Sequence, residues 1–244
     1  MSGAGLVTRF IAEIHYDKGV IYLDRCGSLM LKLQDIVGET FRRNLPDMNA
    51  GKLESALERM VVTFGPEKLR VEQTGPTSGA RVEKTMTEAW DAVADTLGVR
   101  DTATRFAVRI FYAWPTSDLQ AARDIARASG LIAPSDAWEA AFGKTDWSMF
   151  VSCQRTPRGG HVRRSFDTVE HFLEGALPEG FSQFFPPACL QYDADYAYDT
   201  SRKQFGLKRE QVREFIRASW NGFQNDQEVV EAKLSLPKFS AGEN

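Results

Sequence analysis

The sequence predicts an α+β protein with a largely antiparallel sheet, or sheets, of seven to eight strands and about five or six helices packed on one side. Three observations carry this prediction. Several segments alternate apolar and polar residues, as half-buried strands do. These segments are joined by short turns or separated by single helices, which is typical of antiparallel pairing. A long amphipathic helix closes the chain, and no glycine-rich phosphate-binding motif follows any predicted strand.

Composition agrees with a folded globular chain. The 244 residues are 43% hydrophobic and 26% charged, so a sizeable core is expected. The formal net charge is −3, so the protein as a whole does not attract nucleic acid, and any basic surface must be local.

The sequence predicts a cytoplasmic protein. Polar residues interrupt the first seventeen positions, so no secretory signal is expected there, and no uncharged apolar window is long enough to span a membrane. The three cysteines, Cys26, Cys153 and Cys189, have no metal-binding or redox spacing and are expected to be reduced, buried thiols.

In the first part of the chain, a strand over Thr8–Tyr16 has Phe10 and Ile14 on one face and Glu13 on the other. The segment 20–23 reads as the second strand of a hairpin. The helix expected next covers 28–43, and two further strands are expected near 59–64 and 69–74.

The loop over 75–79 is the best candidate for a domain boundary. The sequence therefore predicts an N-terminal α+β subdomain over 1–75 and a C-terminal one over 80–244, with one continuous domain as the alternative. The strand over Thr104–Pro115 starts like the first one, since residues 8–16 and 104–112 agree at five of nine positions. Chance similarity between amphipathic strands and an old duplication explain this equally well.

The remaining elements follow from the same patterns. Helices are predicted after the loop at 75–79 up to Gly98, over 117–130 with Ser117 and Gln120 as a capping box, over 135–143, over 168–176 and over 208–234. Residues 147–154 and 161–167 flank a turn as a hairpin, and a long strand covers Leu190–Tyr198.

Templates for catalysis are missing from the sequence, which contains no nucleophile elbow, zinc-binding helix, phosphate-binding lysine loop or kinase motif. His15, His161 and His171 are the only histidines, and each has a simpler surface role. No catalytic residue and no cofactor is therefore predicted.

Asp193 and Asp195 form the most suggestive acidic pair. Strand alternation places them on one face, about 7 Å apart. They could hold a divalent cation together with substrate phosphates. The alternative, which we favour, is a charge lattice in which they pair with Arg105 and Arg109 from other strands.

The segment 153–164 contains four arginines and no acid, in a chain that is acidic overall. Alternation puts His161 and Arg163 on one face, and Val162 and Arg164 on the other. The basic residues of this hairpin, with Arg105 and Arg109, are the predicted partner- or phosphate-binding residues: Arg155, Arg158, His161, Arg163 and Arg164. Contact with nucleic acid, docking on an acidic protein surface and a solvated hairpin without ligand stay open as alternatives.

Three segments follow one another along the chain: the strand at 104–115, the strand at 189–198 and the helix from Lys208. In this order of features the chain resembles a sporadically distributed family of uncharacterised bacterial proteins of about 250 residues. The resemblance implies no catalytic residues. The patchy occurrence of the family implies an accessory or antiviral-defence role in bacteria.

Together these features predict a non-catalytic cytoplasmic binding protein that contacts a protein partner, or a second copy of itself in a homodimer, through the arginine hairpin or the charged sheet face. The alternatives are a nucleic-acid-binding protein and a metal-dependent phosphoesterase-like hydrolase that uses Asp193 and Asp195.

Overall fold

The computed structural model describes residues 5–17, 19, 21–38, 42–44, 49–130, 149–156, 160–171, 181–199 and 203–234. These residues form one nine-stranded antiparallel sheet with the order β2-β3-β4-β5-β1-β6-β9-β8-β7. The strands are β1 (Leu6–Tyr16), β2 (Arg42–Asn44), β3 (Gly51–Ser55), β4 (Met60–Phe64), β5 (Lys68–Thr74), β6 (Ala103–Pro115), β7 (Met149–Arg155), β8 (Gly160–Glu170) and β9 (Ala188–Asp199).

Four α-helices occur in the described part of the chain, together with a short 3₁₀ turn at Ser182–Phe184. They are α1 (Tyr22–Val37), α2 (Ala80–Leu97), α3 (Leu119–Ala128) and α4 (Arg209–Leu234). The α+β class, the antiparallel sheet and the long C-terminal helix are therefore confirmed. The predicted helix over 135–143 lies outside the described residues.

The helices cover one face of the sheet. α2 packs on β1 and β5, α4 packs on β6 and against α2, and α3 packs on β8 and β9. The apolar residues of the alternating strands point into this layer, where Phe10 stacks on Trp220 at 5.2 Å between ring centroids. Burial of this face, worth roughly 25 cal/mol per Å² of apolar surface, holds the two layers together. None of the described helices combines the length and apolarity needed to cross a membrane.

The start of α1 differs from the prediction. Residues 21–23 do not form the predicted strand, because the helix already begins at Tyr22, six residues before the predicted start at Ser28, and Val20 lies outside the described residues. The buried side chains of Tyr22, Leu29 and Leu33 continue one helical stripe toward the N-terminus. A four-residue apolar run fits a strand and a helix equally well, and packing against α2 decided between them.

Other boundaries also moved. Residues 42–44 form the edge strand β2 rather than the end of a helix, and β3 was not predicted. Asp118, and not Ser117, caps α3, accepting a hydrogen bond from the Ala121 backbone N–H at 2.8 Å. Residues 168–170 continue β8, so the helix predicted from 168 does not begin there.

The two central strands are related by a pseudo-two-fold axis perpendicular to the sheet. The repeat aligns Phe10 with Phe106 and Ile14 with Ile110. In the sheet, Phe10 lies opposite Ile110 and Ile14 lies opposite Phe106. The repeat also aligns Ala12 with Val108, and these two residues lie opposite each other at the axis. A two-fold axis that relates the two strands produces this register, whereas a chance similarity of their sequences would not require equivalent residues to lie at symmetric places in the ladder.

Both irregularities of this ladder obey the same axis. The register shifts between Val7 and Arg9, and again between His15 and Tyr16, where β6 has the extra residue. The extra residues are Thr8 and Thr104, each the first residue of the repeat. Because bulges are specific local features, their equivalence favours duplication of one unit.

The symmetry extends outward through the sheet. In chain order, the elements β1, α1, β3, β4, β5 and α2 correspond to β6, α3, β7, β8, β9 and α4, and β2 has no counterpart among the described residues. The next strands pair equivalently with the two central strands, since Val71 of β5 lies opposite Ala12 and Tyr196 of β9 lies opposite Val108. We call the two units the first half and the second half. Since β1 pairs with both β5 and β6, the sheet continues across residues 75–79, and the division into two subdomains stays a prediction.

Candidate functional site: the open face of the sheet

The face of the sheet away from the helices carries charged side chains from neighbouring strands. Alternation places Arg105 and Arg109 of β6 on this face, and Asp193 and Asp195 on the adjacent strand β9. Arg109 lies directly opposite Asp195 in the ladder. The predicted meeting of these four side chains on one face is thereby confirmed.

Among the described residues of this face, the ion pair between Arg109 and Asp193 has the most hydrogen bonds. The Arg109 Nε donates to both carboxylate oxygens of Asp193, at 2.9 and 3.0 Å, and Nη2 donates to Oδ2. Asp193 is only 8% exposed, whereas 45% of the Arg109 side chain stays exposed, so the carboxylate is largely removed from water and the arginine is not. The hydrogen bond to Asp193 raises the pKa of Arg109 above its usual value. Such a fork between guanidinium and carboxylate fixes both side chains in orientation.

Further ion pairs connect the rest of the face. Arg105 lies 3.7 Å from the carboxylates of both Glu13 and Asp195. In the first half, Glu72 accepts from Arg9 at 2.7 Å and from Arg70 at 2.5 Å. These contacts form a lattice in which most cations have a carboxylate partner.

Glu13 is the central carboxylate of the first half. His15 Nε2 lies 2.5 Å from Glu13 Oε1, and this hydrogen bond holds the pKa of Glu13 below its usual value, against the opposite effect of burial. Glu13 is therefore a carboxylate at neutral pH, as the lattice requires.

Phe111 is the aromatic centre of the open face. The guanidinium of Arg109 lies over its ring at 4.6 Å from the centroid, and that of Arg9 at 5.2 Å. The ring is 8% exposed. A ring covered in this way cannot stack on a nucleotide base.

The hairpin of β7 and β8 lies at one edge of this face. Arg155 and Arg163 are exposed on it, and within the described ranges neither makes an ion pair. His161 lies opposite Arg155 and is half-buried. Arg158 lies outside the described residues. Cys153, predicted to be buried, is exposed beside Arg163, because β7 has no neighbour on its outer side in the described part of the sheet.

Arg164 points to the opposite face, as alternation predicted, and it is engaged there. It donates to Asp226 of α4 through Nε at 2.8 Å and Nη2 at 3.1 Å. The hydroxyls of Tyr192 and Tyr196 donate to the same carboxylate, at 2.8 and 3.0 Å. Burial, together with the nearby Asp226, raises the pKa of both tyrosines far above the usual value. Arg164 thus fastens β8 to α4 and does not belong to the exposed basic surface.

This Asp226 cluster was not predicted from the sequence. Its members come from β8, β9 and α4, and Arg164 is 62 positions from Asp226. The one available signal was the position of Arg164 on the apolar face of β8, where a cation needs a buried partner.

Asp193 and Asp195 do not assemble a metal-binding group. Within the described residues, no cluster of three or more histidine, cysteine, aspartate or glutamate side chains is placed to hold a metal ion. Both oxygens of Asp193 already accept from Arg109. Asp195 keeps one buried oxygen, Oδ1, that has no hydrogen-bond partner among the described residues.

Comparison with protein-family models and with curated proteins found no match to this chain. The geometry of the molecule is therefore the basis for the functional argument.

Proposed function

We propose that this chain is a non-catalytic binding protein, and that it contacts an acidic protein partner through the β7–β8 hairpin at the edge of its open sheet face. The observation that carries the proposal is the contrast between the hairpin and the rest of the face. Arg155 and Arg163 are exposed without ion pairs in the described residues, whereas the arginines of the central strands are neutralised.

The surface around these two arginines suits a protein. Val151 of β7 lies on the same face of the sheet as these two arginines and is 42% exposed. A small apolar patch beside free guanidinium groups offers both burial and charge-assisted hydrogen bonds, and arginine is enriched at protein interfaces. Carboxylates of a partner would supply the charges that the hairpin lacks.

The strand β7 supports the same interpretation. Within the described part of the sheet it is an edge strand of seven residues with an unshifted register against β8, and its only charged residue is Arg155. Protein chains usually protect such edges with charges, bulges or short strands, and the opposite edge strand β2 has only three residues. An accessible edge of this kind suits docking by another polypeptide.

Nucleic acid is the weaker candidate. A phosphate backbone would have to compete with Asp193 for Arg109 and with Glu72 for Arg9. Useful affinity at physiological salt requires several free cations. The accessory or defence-linked role implied by the family resemblance stays a prediction.

The proposal can be tested by quantitative affinity capture with the double charge-reversal variant R155E/R163E. We expect recovery of an acidic partner by the wild type to fall at least tenfold in the variant, because attraction is replaced by repulsion. The matched control is R25E/K84E, which reverses two exposed cations on the helix layer and should leave recovery unchanged.

Equal recovery by wild type and R155E/R163E would reject the hairpin as the binding surface. Recovery that is lost on nuclease treatment would replace the protein partner with nucleic acid. Thermal melting of both variants verifies that they are folded.

A further inference from the structure

A cavity of about 640 Å³ lies on the helix-covered side of the second half, between α4 and the strands β6, β8 and β9. This volume is within the range of sites that bind small molecules. Thr156, Gly160 and His161 of the β7–β8 hairpin belong to its lining, but Arg155 and Arg163 of the proposed interface do not. We call it the α4 cavity.

Two pairs of aromatic rings form its walls. Phe106 and Phe215 are 4.6 Å apart between centroids, and Tyr198 and Phe205 meet edge to face at 5.0 Å. Aromatic walls of this kind provide a large apolar contact area and favour a planar ligand that can stack or meet them edge on.

Several polar side chains also line the cavity, namely those of Thr156, His161, Gln211, Glu214 and Ser219. Glu214 is exposed on α4 and makes no hydrogen bond or ion pair within the described residues. Gln211, one turn before it, uses its amide oxygen to accept from the Lys208 backbone N–H at 2.8 Å, which leaves its NH₂ group. A carboxylate beside aromatic walls complements a cationic group on an apolar body.

At the corresponding place in the first half, Phe10, which corresponds to Phe106, is covered by the indole of Trp220 at 5.2 Å and an interplanar angle of 14°. A Cβ atom on Gly79 would come within 3.0 Å of that indole, so the described residues pack closely at this point. The two halves therefore surround their equivalent phenylalanines with different side chains.

We propose that the α4 cavity binds a planar aromatic molecule that carries a protonated amine. The ring would lie between the two aromatic walls, and the amine would face Glu214. This chemistry combines the apolar burial that the walls offer with the carboxylate of Glu214 at the rim.

Calorimetric titration with three indole compounds tests the proposal. Tryptamine carries the amine, indole has no charge, and indole-3-acetate carries a carboxylate on the same ring. We expect tryptamine to bind most tightly and indole-3-acetate most weakly. In the E214Q variant, tryptamine affinity should fall about three- to fivefold, as for an exposed ion pair, with indole unchanged.

A second variant tests the location of the site. Ala218 is exposed on α4 and lines the cavity, so A218W should fill it and abolish binding of all three compounds. The control is Q224W, which places the same side chain at an exposed position on the opposite side of the helix.

Failure of all three compounds to bind the wild type would overturn the proposal, as would binding that survives A218W. Equal affinity for tryptamine and indole-3-acetate would overturn the assignment of the amine. Glu214 is on the surface, so E214Q gives an answer even if A218W should fail to fold.

Discussion

The first and second halves of this protein follow the same path, yet they fill one equivalent place with opposite chemistry. Strand pairing shows which residues are equivalent: Val62 of β4 lies opposite Val71 of β5, and Val162 of β8 lies opposite Tyr196 of β9. Tyr16 meets Trp90 at 5.9 Å, and Tyr112 meets Phe223 at 5.8 Å, so α2 and α4 correspond as well. By these correspondences, Phe64, Val71 and Val93 of the first half match Arg164, Tyr196 and Asp226 of the second half.

The first set is entirely apolar and buried, whereas the second is an ion pair with tyrosine hydroxyls. The comparison teaches that the topology tolerates either solution between sheet and helix. A buried charge is costly unless it is paired and hydrogen-bonded. The carboxylate of Asp226 is paired with Arg164 and accepts four hydrogen bonds, two from Arg164 and two from the tyrosine hydroxyls. The cluster joins the hairpin of the second half to α4 by directional contacts.

The open face shows a second contrast between the halves. Glu13 lies opposite Arg70 in the first half, and at the equivalent place Arg109 lies opposite Asp195 in the second. The order of acid and base is reversed, while complementarity across the strands is kept. Cross-strand attraction therefore explains the lattice better than a conserved arrangement of charges for one ligand would.

Removing the equivalent helix rings should produce the largest effect. We expect W90A and F223A each to lower the free energy of unfolding by about 3–5 kcal/mol, because both side chains are fully buried. W90A should cost more, since the indole Nε1 also donates to the Leu207 carbonyl at 2.8 Å. Urea denaturation measures both. A loss below about 1 kcal/mol in either one would break the equivalence of α2 and α4.

Neutralising Asp226 should have an intermediate effect. D226N leaves Arg164 and two tyrosine hydroxyls without their shared carboxylate, and we expect a loss of about 2 kcal/mol in urea denaturation. The matched change in the first half is D91N on α2, where Asp91 pairs with Arg100 and Arg209 and is about as exposed as Asp226, 23% against 20%. Because Asp91 accepts from no tyrosine hydroxyl within the described residues, that change should cost about 0.5 kcal/mol. Similar costs would mean that the tyrosine hydroxyls add no stability beyond that of the ion pair.

The smallest effect concerns acid stability of the open face. Because the pKa of Glu13 is lower in the folded protein than the 4.5 of an unperturbed glutamate, its contribution to stability is present above that pH and is lost as the pH falls below it. The variant E13Q should therefore be less stable than the wild type at pH 7, and the difference should shrink toward pH 3. Denaturation curves at several pH values check this, and a difference that stays constant with pH would contradict it.

The predicted faces of the strands were confirmed because alternation is a local property. Arg105, Arg109, Asp193 and Asp195 were placed on one side of the sheet from spacing alone, and Arg164 on the other. Helix α4 was predicted from its own apolar stripe. The strand β3 was missed, although Gly51, Leu53 and Ser55 alternate in burial, because only pairing with β4 reveals which face is covered.

The sequence by itself thus determined which residues share a face and which segments are amphipathic, since both follow from the geometry of a few consecutive residues. Only the tertiary structure decided which strands are neighbours beyond the predicted hairpin, and with that the pseudo-two-fold axis, the Arg109–Asp193 fork and the α4 cavity. The position of Arg164 on an apolar face indicates that it needs a partner, but sheet register and helix packing, which depend on the whole chain, decide that the partner is Asp226.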